Sequence, residues 1–467
     1  MKKIPTLLLA AAISSALFGC QSTSGTSQTH SASHTLMTAA KSSNLGYDIV
    51  ESLTVEVGPR MAGTDKDLMA VDWAMNKFKQ LGYDKIYKEP VKVPIWERGS
   101  ASAEVTAPYP QPLVITALGG SVATPVNGLE AEIVRFDTLA ALKAANPADV
   151  KGKIVFIDHK TERAINGAGY GKSVGGRSRG AIAAAEKGAV AIVVRSIGTD
   201  HDRMAHTGMM RYKDGVNKIP AAALSAPDAN QLNFMLKRNP NVTLKLNMTP
   251  ENKGFATSYN VIGEVIGRTK PEEIVLIGAH LDSWDEGTGA LDDGAGVGIV
   301  MAAGKHILDL PQRPDRTVRV VLYAAEEIGL VGGKAYAKAH AKELQNHYIA
   351  AESDFGAGWI YRIDVNVNPN QLQQVHTDLA PMTTNRNIEL GNNEAGGGPD
   401  VSMLPALGVP VASLRQEGYD YFDYHHTPND TIDKIVPEKL AQNVAAYSQF
   451  ALAMANSKAQ LRPINKK

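Results

Sequence analysis

Four short stretches deliver carboxylates and imidazoles directly after apolar runs. "IVLIGAHLDSWDEGTGALDDGAG" carries His280 and Asp282, then Asp292 and Asp293 after a glycine-rich loop. "VVLYAAEE" ends in Glu326 and Glu327, "YIAAESDFG" in Glu352 and Asp354, and "YFDYHHTPNDT" supplies His425, His426 and Asp430. No Lys or Arg stands in any of the four. Carboxylates brought together without a cation repel one another, and a pair of divalent metal ions removes that conflict. Imidazole and carboxylate donors with no thiolate suit zinc in a catalytic rather than a structural site. Taken singly, a His-x-Asp is usually a surface pair and a Glu-Glu usually a solvated helix start. Four such groups at successive strand ends, in a chain with only 12 histidines, point to metal instead.

The elements that must position these groups are legible from about Ser258 onward. "NVIGEVIG", "EEIVLIGAH", "TVRVVLYAAEE", "YIAAESD" and "VPVASLR" read as buried strands. Helical stretches such as "GVGIVMAAGKHILDL" and "PEKLAQNVAAYSQFALAMA" lie between or after them. Near-continuous apolar strands alternating with helices predict an α/β fold with a mostly parallel sheet covered by helices. Ligands of such sheets bind beyond the carboxyl ends of the strands, where the four groups fall. Between 119 and 257 the character changes. "DVKGKIVFIDHK", "RGAIAAAEKGAVAIVVRS" and "KIPAAALSA" are short strands among glycine-rich loops and one Ala-rich helix. We expect a β-rich domain at 119–257 inserted between 44–118 and 258–467.

Two glycine-rich motifs carry less. "NGAGYGKSVGG" ends like a phosphate-binding loop, but Asn166 occupies the position of its first glycine, and it reads as a flexible loop. "GAGVG" opens a helix, yet Ile299 stands where a dinucleotide fingerprint needs its third glycine. With 48 basic and 48 acidic residues, the chain has no charge excess that would favour nucleic acid. The start, "MKKIPTLLLAAAISSALFGC", has the charge and apolar run of an export signal, too short to span a bilayer. Its end resembles a bacterial lipoprotein box with Cys20, the single cysteine, as the acylated residue. We therefore expect a leader at 1–20, a Ser/Thr-rich tether at 21–43, and an exported protein held to a membrane by lipid or secreted.

The His-x-Asp, Asp-Asp-Gly, Glu-Glu-x-Gly-Leu, later Asp, and His before Asp-Thr resemble the di-zinc exopeptidases of the aminopeptidase and glutamate carboxypeptidase group. "VGPRMAGT", "GAHLDSWDEGTGALDDGAG", "HTGMMRYKDGVNKIPAAA" and "ESDFGAG" look similar to the plasma glutamate carboxypeptidase branch. The likeness runs from about Ser43 to the last helix. "GKIVFID" and "EKGAVAIVV" of the insert resemble a protease-associated domain. The resemblance implies the zinc exopeptidase fold and two Zn2+ per chain. Asp292 would bridge the two ions, His280 and Asp354 would complete one site, and Glu327 and His426 the other. Glu326 would be the general base, and Asp282 would orient His280. His425 stands where related aminopeptidases place a tyrosine that contacts substrate, and His206 of the insert would also reach the substrate. Substrates would be dipeptides or short peptides, and relatives suggest a homodimer. Two other readings stand beside this one: a metal-free receptor or binding protein on the same fold, and a related zinc amidohydrolase such as a glutaminyl cyclase.

Overall fold

A computed structural model describes Met1 and residues 36–464 of the chain. The expected leader, Cys20 and most of the tether lie outside the described residues. The tail of the tether is a correction: residues 36–42 are helical, and Leu36, Met37 and Ala40 are buried. Their i, i+1, i+4 spacing gives that turn an apolar face to dock, which the Ser/Thr-rich stretch before it lacks.

Two eight-stranded sheets organise the molecule. In chain order, β1 is Lys85–Glu97, β2 Ala101–Ala107, β3 Gln111–Leu113, β4 Ile115–Ala117 and β5 Leu129–Phe136. Next come β6 Ile154–Ile157, β7 Ala191–Arg195, β8 Ala221–Leu224 and β9 Thr243–Met248. The remaining strands are β10 Glu251–Val265, β11 Lys270–His280, β12 Arg316–Tyr323, β13 His347–Glu352, β14 Ile360–Asn366, β15 Glu389–Leu390 and β16 Val411–Gln416. The first sheet runs β1-β10-β12-β11-β13-β16-β14-β15 and the second β3-β2-β9-β5-β6-β7-β8-β4.

In the first sheet only β12, β11, β13 and β16 form a parallel centre. β10 pairs antiparallel with both β1 and β12, and β14 pairs antiparallel with β16. The sheet is therefore mixed: its centre is parallel as expected, β14 and β15 add a parallel pair at one edge, and the other pairings are antiparallel. The centre needs cover on both faces and has it. Val275, Ile277 and Ala279 of β11 join a core built with helices Leu45–Glu56, Asp65–Leu81, Ala295–Leu308, Leu372–Arg386 and Pro437–Asn456. Ile274 and Leu276 face the opposite way, into a core with Tyr336 and Ala337 of helix Val331–Ala339. β1 is an edge strand, which is why it tolerates Pro90 and Pro94. Among the described residues, no helix is long and apolar enough to cross a membrane.

The second sheet takes its strands from 101–248, so β2, β3 and β4 belong to it although they precede residue 119. β5, β6, β7 and β8 are parallel, and helix Ala168–Ala185 connects β6 to β7. This region is thus a mixed α/β unit rather than a β-rich one.

A buried polar chain ties β10, β12 and β13 of the first sheet to helix Val331–Ala339. Arg319 Nε donates to Glu264 at 2.7 Å and its Nη1 to the Tyr336 hydroxyl at 2.8 Å. The Tyr336 hydroxyl lies 2.8 Å from His347 Nε2, and His347 Nδ1 donates to the Glu343 carbonyl at 3.1 Å. His347 is thereby held neutral: burial, with Arg319 nearby, depresses its pKa to about 4. The unfolded chain binds this proton near pH 6.5 and the folded chain only near 4, so stability falls as pH drops through that window. We expect thermal melts of His347→Gln to show a shallower loss of stability between pH 6.5 and 4 than wild type. Parallel curves would show that His347 does not titrate as described.

Candidate metal and catalytic site

The central strands place the chemistry at one edge. β11 ends at His280, in register with Tyr323, the last residue of β12. Glu352 ends β13, and Asp354 follows it. Beyond Tyr323 the chain has left the sheet, so Glu326 and Glu327 do not alternate across a strand. Ala325 adopts the left-handed conformation (φ 56°), a strain of about 1–2 kcal/mol for a residue with a side chain. That turn lets both glutamates line one cavity. His426 sits in the same conformation (φ 61°) at the other side of the site. Backbone strain collected at two such points is a mark of function.

Asp292 lies at the centre. Its Oδ1 is 3.1 Å from His280 Nε2, which is itself 3.6 Å from Asp354 Oδ1. Its Oδ2 is 3.3 Å from His426 Nε2 and 3.5 Å from His425 Nε2. Glu327 Oε2 is 2.9 Å from His426 Nε2 and accepts from the Trp284 indole at 2.6 Å. One carboxylate thus presents an oxygen to each of two groups of donors. His280, Asp292 and Asp354 form one metal-sized cluster, and Asp292, His425 and His426 form another. All five residues expected as ligands come together. His425 joins them more closely than a purely substrate-facing role requires.

The donor chemistry fits zinc. Asp292 Oδ2 and Glu327 Oε1 are buried and have no hydrogen-bond partner, a costly condition that a cation relieves. Burial, and then repulsion from Asp354, pushes the Glu326 carboxyl well above the usual range. Burial and Asp292 likewise raise Glu327. Burial and the adjacent His426 hold His425 well below its ordinary pKa, and the two rings stack with centroids 3.6 Å apart. The Glu326 carboxylate makes no hydrogen bond or ion pair among the described residues. It faces the cavity unspent.

The supports are as specific as the ligands. His280 Nδ1 donates to the backbone carbonyl of Asp282 at 3.0 Å and His426 Nδ1 to that of Thr207 at 3.2 Å. Each bond fixes the tautomer that leaves Nε2 free for metal. The Asp282 carboxylate is farther, at 3.5 Å, and instead accepts the Glu326 N–H at 3.0 Å. Asp282 therefore orients His280 through its main chain and Glu326 through its side chain. Asp430 accepts from the Leu291 and Asp292 N–H groups, at 2.6 and 3.1 Å. Asp293 joins the His280 N–H to the Gly296 N–H at the start of helix Ala295–Leu308. Glu352 accepts the Asp400 N–H at 2.7 Å. These three carboxylates are braces rather than ligands.

His206 corrects the expectation. It is fully buried, its Nδ1 donates to the His425 carbonyl at 2.8 Å, and its Nε2 lies 2.7 Å from Asp200. With both ring nitrogens engaged it steadies the His425–His426 segment and does not reach the cavity.

Two features escape a reading of the sequence. Arg60, in "VGPRMAGT", is wholly buried, and its guanidinium donates to the carbonyls of Leu281, Thr288 and Gly289 at 2.5, 2.7 and 2.9 Å. It holds the loop that carries Asp292, a role visible only once the loop is folded. The stretch taken for a flexible loop begins helix Ala168–Ala185, whose Tyr170, Val174, Arg177 and Ser178 line the cavity. Two of its glycines permit close packing: a Cβ at Gly180 would lie 2.8 Å from Ile192, and one at Gly176 3.3 Å from Ile157. The i, i+4, i+7, i+8 spacing of the four lining residues was the available signal.

With this geometry in hand, relatives are informative. Residues 260–451 match the family described as peptidase family M28. Carboxypeptidase Q of Xenopus laevis is 35% identical over 421 residues, covering 90% of this chain and 88% of that protein. The chain belongs to peptidase family M28. The crystal structure of a peptidase M28 precursor from Shewanella amazonensis SB2B superposes with a TM-score of 0.93 at 65% identity. It covers 94% of this chain and 100% of that one. A zinc aminopeptidase from Bacillus subtilis shares the fold at a TM-score of 0.63 and 22% identity, covering 90% of this chain and 97% of that chain. For this M28 chain, Arg60→Met would strand the carbonyls of Leu281, Thr288 and Gly289. We expect a loss of about 3–5 kcal/mol in stability by chemical denaturation, with weakened zinc retention on dialysis. Unchanged stability and zinc content would remove Arg60 from the account.

Proposed function

We propose that the chain, a zinc-dependent exopeptidase by family, hydrolyses dipeptides or short peptides at a two-zinc centre held by His280, Asp292, Asp354, Glu327 and His426. The observation that carries this reading is Asp292, with one oxygen toward each donor group and one of them otherwise unpartnered in a buried site. Zinc held there would acidify a water and polarise the scissile carbonyl. Glu326, free of partners and raised in pKa by burial, takes the proton from the attacking water and passes it to the leaving amine. Asp282 holds the Glu326 backbone in place for that transfer, and His425 faces the substrate beside Asp292.

The same reading makes the 101–248 unit a protease-associated lid. Thr207 N–H donates to the His426 carbonyl at 3.0 Å and Thr199 N–H to that of Phe422 at 3.0 Å, so the lid grips the histidine segment. A cavity of about 480 Å³ beneath it suits a small ligand and excludes a folded chain. The protein is exported, with Cys20 as lipid anchor. A metal-free binding role would leave the full ligand set and an unspent Glu326 without purpose.

The two glutamates separate base from ligand. Glu326→Gln keeps size and removes the proton acceptor, so zinc content should hold while kcat falls by roughly 10²–10⁴-fold. Glu327→Gln should lose part of its zinc and recover some activity when zinc is added in excess. Assays of turnover and bound zinc on both variants decide it: loss of zinc from Glu326→Gln alone would reverse the two roles.

A further inference from the structure

Trp284 is buried between a proposed ligand and the 101–248 unit. Its indole donates to Glu327 Oε2 at 2.6 Å, and that same oxygen lies 2.9 Å from His426 Nε2. Apart from His426, the indole is the one donor to the Glu327 carboxylate among the described residues. A glutamate side chain has three rotatable bonds to fix, so this single short bond decides where the carboxylate points.

The far edge of the indole meets the other unit. A Cβ at Gly119 would lie 2.1 Å from Trp284 Cη2, so the ring rests directly on that backbone. Gly119 is itself tied into its unit, its N–H donating to the Gly208 carbonyl and its carbonyl accepting from the Met210 N–H, both at 3.0 Å. Arg98 closes the contact from a third side. Its guanidinium stands 5.6 Å from the Trp284 ring centre and binds Asp285, the next residue, while donating to the Ala117 carbonyl at 2.6 Å and the Thr207 hydroxyl at 2.9 Å. His426 is gripped by the same unit through Thr207. The other donor group is different: among the described residues, no hydrogen bond or ion pair joins His280 or Asp354 to 101–248.

We infer that Trp284 is a positioning residue through which the 101–248 unit completes one metal site, that of Glu327 and His426, while the site of His280 and Asp354 is built by the first sheet's unit alone. The inference rests on the two-zinc reading above and deepens it: the two sites are unequal, and one of them answers to the docking of the second unit. Gly119 presses the indole, the indole holds Glu327, and Glu327 faces His426.

The test counts zinc, not turnover. Zinc-loaded full-length protein is dialysed against rising chelator concentrations, and the zinc retained is measured by elemental analysis. Wild type should hold two equivalents. Trp284→Phe keeps the ring against Gly119 and removes the donor, so one equivalent should leave at roughly ten- to a hundredfold lower chelator while the other stays. Gly119→Ala, which alters no ligand and no donor, should loosen the same single equivalent by pushing the indole from the opposite unit. Trp96→Phe removes a comparable buried indole bond, to the Ser121 carbonyl at 3.0 Å, and should retain both equivalents as wild type does. Wild-type retention in either Trp284→Phe or Gly119→Ala would overturn the relay and leave the two-zinc centre standing. Equal loosening of both equivalents, or the same loss from Trp96→Phe, would overturn it too, as general destabilisation. A wild type that binds one equivalent or none would overturn the two-zinc reading itself, and the relay with it.

Discussion

The organising constraint is a set of carboxylates drawn into low-dielectric surroundings with no Lys or Arg ion-paired to them among the described residues. Asp292, Glu326, Glu327 and Asp354 line one cavity, and burial pushes the two glutamates toward their neutral forms. Asp292 alone is held well below the ordinary range: burial opposes its charge, but contacts from His280 and His426 prevail. Such a cluster is costly as it stands, because like charges and desolvation add. Divalent cations turn the same arrangement into a favourable one. The nearby arginines do not substitute for them, since none pairs with the cluster.

Much of the surrounding fold reads as the means of holding that cluster. Parallel strands β11, β12 and β13 end at one edge, from which His280, Glu327 and Asp354 gather about Asp292 and His426. Arg60 and Asp430 fix the loop of Asp292 from two sides, one through carbonyls and the other through N–H groups. His206 and Thr207 of the second sheet's unit hold the main chain of His425 and His426. The cavity thus depends on both units being assembled, although every proposed zinc ligand belongs to the first.

What the sequence reveals and what it hides follow from how each signal arises. The strand-end carboxylates were legible because apolar runs mark buried strands, and a charged residue just past such a run needs a reason. The proposed ligand set came from the resemblance to the di-zinc exopeptidases, since the strand-end groups alone did not say which of them would hold metal. The flanks of the sheet were not legible, since an antiparallel edge such as β1 is decided by partners far along the chain. The first part of the helix at 168–185 reads as a loop because of its glycines, and packing on β6 and β7 explains two of the helix's glycines, Gly176 and Gly180. His206 looked like a site residue because a lone histidine in a motif carries no mark of which atoms its ring will meet. Ala325 shows the reverse case: an ordinary residue whose left-handed backbone aims two glutamates, with nothing in its type to announce it.

The proposed function requires Asp292 to serve two metal ions at once. Elemental analysis of the purified full-length protein measures this directly, for wild type and for Asp292→Ala. Two equivalents of zinc per chain in wild type, with both sites depleted in Asp292→Ala, is the predicted result. A single equivalent in fully active wild type, or an Asp292→Ala variant that keeps its zinc, would contradict it.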